Sequence, residues 1–281
     1  MQSAETYHIF VVTPSYNQAD FLPRTLESVY SQIGDGHYLV ADGGSKDASP
    51  TILKKFVPEK KNFSYYSHPD GGQVNAINAG ITCMCEWIIQ QKLDPRFVLF
   101  MYLNSDDVLA PGAITLIKQA FIDHCQDWAV GNCQNIDAQD LPIQRDIQLY
   151  KTFNRWLLHL IGYRWLYVMN PIPQPSVVIK ASAIEKVGLF NPDLKYVMDY
   201  EYWLRLWKAV GAPYFSSQTW SHFRIHADSL GTLFHQKQFA EQWAVAKRLG
   251  ANWAWLFIQK MHNDLITNRY QVIKNYDSKN S

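Results

Sequence analysis

Four times before residue 128, a run of four to seven mostly apolar residues stops at a polar or acidic stretch and gives way to apolar residues at helical spacing. The runs are Ile9-Phe10-Val11-Val12-Thr13, Tyr38-Leu39-Val40-Ala41, the poorer Phe63-Ser64-Tyr65-Tyr66, and Phe97-Val98-Leu99-Phe100-Met101-Tyr102-Leu103. Leu22, Leu26 and Val29 follow the first behind Asp20, a capping residue type, and Ile52, Leu53 and Phe56 follow the second. Val74, Ile77, Ala79 and Ile81 follow the third, and Ala113-Ile114-Thr115-Leu116-Ile117, behind Pro111, the fourth. Short buried strands that alternate with helices leave few topologies open, because parallel neighbours need a crossover and the helix supplies it. The pattern predicts an α/β fold: a Rossmann-like, mainly parallel sheet flanked by helices, with ligand groups gathered where the strands end.

From Trp128 the strands become fewer. An aromatic-rich stretch from Trp156 to Tyr167 has helical length; Pro171, Pro173 and Pro175 punctuate a loop; Ser176-Val177-Val178-Ile179 is a strand. A short helix over Ala183-Ile184-Glu185-Lys186-Val187 ends at Gly188, and a longer one begins near Asp199. After Gly231, Phe239, Trp243, Ala246, Leu249, Trp253, Trp255, Leu256, Phe257 and Met261 make a helical tail. The expected organisation is a catalytic domain over 1–230, with a nucleotide-binding half (1–127) and an acceptor-side half (128–230), and a helical extension over 231–281. Basic residues are sparse on the tail's polar face, which favours packing on the domain over a membrane-surface helix; peripheral membrane association is the other option.

Composition narrows the function classes. With 47% hydrophobic and 14% aromatic residues the 281-residue chain has ample material for a core. Lys plus Arg total 26 against 25 Asp plus Glu, and no basic stripe forms, so nucleic acid is not the expected partner. Cys83 and Cys85 are too close for zinc-knuckle spacing and, with Cys125 and Cys133, read as reduced structural thiols of a cytoplasmic protein. The amino terminus carries no signal-type apolar stretch, and no run of about 18 apolar residues occurs.

The chemistry lies at the strand ends. Asn104-Ser105-Asp106-Asp107 closes the fourth strand, and two adjacent carboxylates there invite Mg²⁺ or Mn²⁺, ions that take carboxylate and phosphate oxygens. The same acids also suit the opening of the next helix. Asp42-Gly43-Gly44-Ser45 is either a carboxylate for a base or ribose or a plain turn. Asp70-Gly71-Gly72-Gln73 with Asn75 and Asn78 presents uncharged donors and acceptors, fit for a base or sugar or for a solvated helix face. Asp199 at a helix start is a general base or a cap, while Glu201 lies four residues before Arg205 in ion-pairing order. Arg224 and His226, two apart, share one face of an extended segment and could hold a pyrophosphate.

In order and spacing, Asp42, Asp70 to Asn78, Asn104 to Asp107, Asp199 and Arg224 to His226 resemble the inverting nucleotide-sugar glycosyltransferases of family 2. Val12-Thr13-Pro14-Ser15-Tyr16-Asn17 with Leu26-Glu27-Ser28-Val29-Tyr30-Ser31-Gln32 is similar to that family's opening strand and helix, and the likeness spans roughly residues 8 to 230. The resemblance implies the glycosyltransferase A-type fold and transfer from a nucleoside-diphosphate sugar to a carbohydrate or lipid-linked glycan hydroxyl, in surface polysaccharide or glycan assembly. It further implies that Asp42, Pro14, Tyr16, Asn17, Gln73 and Asn78 contact the donor, with Asn104 and Ser105 beside them, Asn104 standing where many relatives carry an acid. Asp106 is expected near the ribose or sugar and second in line for the metal, Asp107 on Mn²⁺ or Mg²⁺, and Asp199 as the base. The segment from Arg224 to His226 is expected over the diphosphate, with His226 a further metal candidate.

Trp156, Trp165 and Tyr167 read either as sugar-stacking surfaces or as core. A sugar-nucleotide pyrophosphorylase would need a glycine-rich first loop, and Thr13-Pro14-Ser15-Tyr16-Asn17-Gln18 has no glycine. An inactive nucleotide-sugar or carbohydrate-binding module is the other alternative, against which the retained Asp106, Asp107 and Asp199 speak.

Overall fold

The computed structural model describes residues 6–57, 61–226 and 235–280. An eight-stranded sheet runs through both halves: β1 (His8–Ser15), β2 (His37–Asp42), β3 (Phe63–Ser67), β4 (Val98–Tyr102), β5 (Val108–Leu109), β6 (Trp128–Ile136), β7 (Val177–Lys180) and β8 (Tyr214–Arg224), in the order β3-β2-β1-β4-β7-β6-β8-β5. The first four strands pair in parallel, with Ser15 opposite Asp42 and Val12 opposite Tyr102. β7 then runs antiparallel to both β4 and β6, and β5 antiparallel to β8, so the expected parallel sheet occupies the first half and the second half is mixed.

The helices are α1 (Leu22–Tyr30), α2 (Ser49–Phe56), α3 (Gln73–Gln91), α4 (Ala113–Asp123), α5 (Arg145–Ile161), α6 (Ala181–Val187), α7 (Met198–Val210), α8 (His235–Arg248) and α9 (Trp253–Asn280). Strand alternation decides which of them share a layer. Ile9 and Val11 of β1 pack with Leu22, Leu26 and Val29 of α1, Leu53 of α2, and Ile114, Ile117 and Phe121 of α4. Phe10 and Val12 face the other way, onto Val74, Ile77 and Ile81 of α3 and, across the layer, Trp203 and Leu206 of α7. Both faces of β1 are thus dry, which is why its sequence is a continuous apolar run rather than an alternation. α3 lies so close to β1 that a Cβ on Gly80 would stand 2.5 Å from Val12.

Local signals held in part. α6 ends at Gly188, whose φ of 84° is the left-handed conformation that glycine adopts without strain. Asp20 does not cap α1: the helix starts after Phe21, makes no side-chain capping bond and has Pro23 in its first turn. The aromatic stretch at Trp156 to Tyr167 is two elements, the end of α5 and a 3₁₀ turn over Gly162–Tyr167. β6 was not foreseen, because its second half, Asn132-Cys133-Gln134-Asn135, is polar.

The carboxyl-terminal helices are tied to the domain. Arg248 of α8 donates to Glu201 of α7 at 3.1 Å, and Tyr167 donates to the Leu249 carbonyl at 2.8 Å. Among the described residues no helix is long and apolar enough to cross a membrane.

Candidate functional site

The chain leaves β1 for β2 and β3 on one side and returns to β4 on the other, so the ends of β1 and β4 part and open a crevice. A cavity of about 730 Å³ sits there, walled by Pro14, Tyr16, Gly43, the loop from Asp70 to Gln73, Asn104 to Asp106, and Asp199. Tyr16 is 57% exposed at its rim. A second cavity of about 630 Å³ adjoins it beneath α5, lined by Asn132, Lys151, Arg155 and Asn170, and shares Gln174, Tyr196, Phe223 and Asp199 with the first.

At the floor of the first cavity, amide side chains link separate segments. Gln73 donates to the Asn104 carboxamide oxygen at 2.6 Å, Asn104 donates to Gln174 at 3.2 Å, and Gln174 donates to the Tyr102 carbonyl at 2.9 Å. Gln73 can reach Asn104 because Gly71 (φ 80°) and Gly72 (φ 122°) turn the chain sharply into α3.

The two acids of the turn are placed differently. Asp107 is fully buried: its Oδ1 accepts the Arg224 backbone N–H at 2.9 Å, and it does not line the cavity. Burial, reinforced by the neighbouring Asp106 charge, pushes its carboxyl well above the usual range. Asp106 instead faces the cavity, and its Oδ2 pairs with His226 Nε2 at 3.0 Å. Of the two acids, the one that reaches the cavity is thus the half-buried Asp106, and not Asp107, on which the metal was expected. Ser105 also lines the cavity, while its carbonyl and that of Asp107 both accept from Thr25 of α1.

Arg224 lies behind the turn and lines neither cavity. Its side chain is buried, with Nε donating to the Asp106 carbonyl at 2.7 Å, Nη1 to the Asp137 carbonyl at 2.8 Å, and Nη2 paired to Asp140 at 2.6 Å. These contacts fasten the acidic turn to β8. His226, two residues on, pairs with the cavity-lining Asp106 and packs against Phe21, ring centroids 4.8 Å apart, without itself lining either cavity.

Three more of the expected donor residues carry hydrogen bonds within the chain. Asp42 is buried, its carboxylate occupied by the Ser45 amide at 3.1 Å, the Ser45 hydroxyl at 2.5 Å and the Ser67 hydroxyl at 2.6 Å. Asn17, at φ 52°, accepts from the Lys46 amide at 2.8 Å and so ties the first loop to the second. Asn78 clamps Phe190, donating to its carbonyl and accepting its N–H, both at 2.9 Å. Of the aromatic residues, Trp165 donates to Asn154 and Tyr167 is buried, and neither they nor Trp156 line either cavity.

Asp199 stands in the first turn of α7, on the wall common to both cavities, where Asn170 donates to it at 3.4 Å. Burial pushes its carboxyl up to about 6, against opposing backbone hydrogen bonds and the Lys151 charge. Glu201 pairs with Arg205 at 2.9 Å, as its spacing foretold. A residue that sequence alone did not flag holds this region: Glu241 of α8 accepts the N–H groups of Lys195, Tyr196 and Val197 at 3.1, 2.7 and 3.0 Å, just ahead of α7. Nothing in the local sequence distinguishes Glu241 from a solvated helix acid.

Comparison with known proteins places this architecture. The family model of Glycosyl transferase family 2 matches residues 10–188, well over half of the chain. The chain belongs to glycosyl transferase family 2. An uncharacterized glycosyltransferase of Rickettsia prowazekii is 24% identical over 253 residues, covering 84% of this chain and 70% of the relative. One of Mycobacterium tuberculosis is 26% identical over 211 residues, covering 73% and 70%. Among solved structures, the mannosyltransferase PcManGT of Pyrobaculum calidifontis, in complex with GDP-Man and Mn²⁺, superposes with a TM-score of 0.62 at 13% identity, covering 92% of this family 2 chain and 69% of that one. S. aureus TarS 1–349, in complex with UDP-GlcNAc, gives 0.61 at 13%, covering 85% and 65%, so the chain spans somewhat less than two thirds of that protein piece. At such identities the likeness establishes the shared A-type fold.

Proposed function

We propose that this family 2 chain transfers a sugar from a nucleoside-diphosphate sugar to a hydroxyl acceptor with inversion at the anomeric carbon. The observation that carries the reading is Asp199, one carboxylate on the wall between two cavities, each within the size range of small-molecule sites. The nucleotide sugars bound in the similar structures support the first cavity as the donor side.

Asp199 accepts the proton of the acceptor hydroxyl; that oxygen forms the new bond to the anomeric carbon as the bond to the diphosphate oxygen breaks, and the electron pair leaves with the nucleoside diphosphate. A carboxyl near 6 is mostly ionised at neutral pH yet basic enough to take the proton. Gln73, Asn104 and Gln174 offer neutral hydrogen-bonding edges to the sugar or ribose. Asp106, with His226 beside it, fits a divalent ion, since one exposed carboxylate together with the donor's own phosphate oxygens suits Mg²⁺ or Mn²⁺. When bound, such an ion offsets charge on the departing diphosphate. Placement in the cytoplasm and a glycan acceptor, free or lipid-linked, belong to the same reading.

The test is a thermal-shift screen of UDP-, GDP-, dTDP- and CDP-sugars with Mn²⁺, followed by proton NMR of the product made from the selected donor. Selective stabilisation and an inverted anomeric coupling are expected. A retained configuration refutes the single displacement, and no stabilisation by any nucleotide refutes the donor cavity.

A further inference from the structure

The second cavity contains charge that the displacement does not use. Lys151 and Arg155, one turn apart on α5, both line it. Arg155 donates through Nη1 to the Gly131 carbonyl at 3.3 Å and through Nη2 to the Asn132 carboxamide oxygen, both neutral acceptors on β6. Among the described residues no carboxylate lies within ion-pairing distance of either cation; Asp199, on the shared wall, is the carboxylate that lines the cavity. Burial depresses the Lys151 ammonium, as it does the Arg155 guanidinium, which marks both charges as drawn from water without full compensation. A neutral sugar would leave Arg155 with neutral partners alone and Lys151 with only the longer-range field of Asp199, whereas an oxyanion would satisfy both, the guanidinium offering a planar fork and the ammonium a point charge.

We propose that the acceptor of this chain is anionic: a hydroxyl compound whose carboxylate or phosphate sits on Lys151 and Arg155 while its hydroxyl meets Asp199. The cavity of about 630 Å³ accommodates one such residue, a uronate or a phosphorylated sugar or polyol. The inference rests on the reading of this cavity as the acceptor side, and the two fail separately.

Inorganic phosphate is titrated calorimetrically into the full chain with the donor cavity filled by the nucleoside diphosphate that the donor screen selects, and again without nucleotide. Phosphate should bind in both states and at least tenfold more weakly to Lys151→Met, whereas Lys151→Arg, which keeps the charge, should bind it within about threefold of wild type. Transfer is then compared within two matched pairs, methyl glucoside against methyl glucuronide and glycerol against glycerol 1-phosphate. The anionic member should have the higher kcat/KM by at least tenfold in one pair, which names the oxyanion, and Lys151→Met should cut that preference at least fivefold. Absence of phosphate binding in both states, binding indifferent to Lys151→Met, or equal kcat/KM within both pairs overturns the proposal. Failure of every nucleotide to bind, with phosphate still bound through Lys151, refutes the donor reading alone.

Discussion

Replacing Asp199 by Asn separates the two consequences of burying a carboxylate at the junction of two cavities. As a general base the group contributes on the order of 10² to 10⁴ in rate, so Asp199→Asn should lower kcat by about that factor with little change in donor affinity. The same substitution should stabilise the fold. Asp199 titrates near 6 in the folded chain against 3.8 ordinarily, a rise of about two units, each worth ~1.4 kcal/mol, so its ionisation opposes folding by at most ~3 kcal/mol. The sign follows from proton binding. Below pH 3.8 both states carry the proton and nothing is lost; as pH rises the unfolded state ionises first, and the full penalty is present only above about 6. Asn cannot ionise, so the variant's advantage should grow from near zero at pH 4 to its maximum by pH 7. For a chain of this size each kcal/mol corresponds to roughly 2–4 °C, giving a Tm gain on the order of 5–10 °C at pH 7.5. Wild-type turnover should fall about tenfold per pH unit below the same value. Calorimetric scans across pH, paired with initial rates, test both halves; wild-type turnover in the variant, or a Tm difference that does not change between pH 4 and 7.5, refutes the reasoning.

The remaining expectations address the acidic turn and the carboxyl-terminal helices. Asp106→Ala should weaken nucleoside-diphosphate binding at least tenfold with Mn²⁺ and hardly at all without it, whereas Asp107→Asn should stay within about threefold in both conditions; isothermal titration with and without metal distinguishes them, and the reverse pattern restores Asp107 as the ligand. Glu241→Ala strips an acceptor from three amides ahead of α7 and should lower urea stability by about 2–4 kcal/mol, with partial recovery in Glu241→Gln; an unchanged denaturation midpoint removes Glu241 from the support of Asp199. Arg224→Met leaves the Asp106 and Asp137 carbonyls without their donor and should destabilise the fold by ~3 kcal/mol, read by the same denaturation curves.

The sheet's first half was legible because parallel strands buried on two faces must be apolar runs, and the loops between them must be polar enough to read as breaks. β6 was harder: it carries the polar Asn132 and Gln134 into the wall of the second cavity, so periodicity weakens where the site is built. The end of the fourth strand located the acidic turn, and resemblance distributed its roles by motif order. Which of two adjacent carboxylates faces solvent depends on where the chain turns, and that turn is held from a distance by Arg224 and Thr25. Asn78 and Asn17 show the same limit, since a polar side chain near a site is as readily spent on bracing the backbone as on a ligand.

By itself the sequence determined the α/β class, the strand ends where chemistry collects and Asp199 at the start of its helix, because these follow from short-range periodicity and chain order. Only the tertiary structure decided that Asp106 rather than Asp107 reaches the cavity, that Arg224 is a brace, and that Lys151 and Arg155 meet Asp199 across a second cavity. Those outcomes depend on which segments distant in sequence come to share a low-dielectric space, and there the burial of a charge and the partner it finds outweigh its residue type.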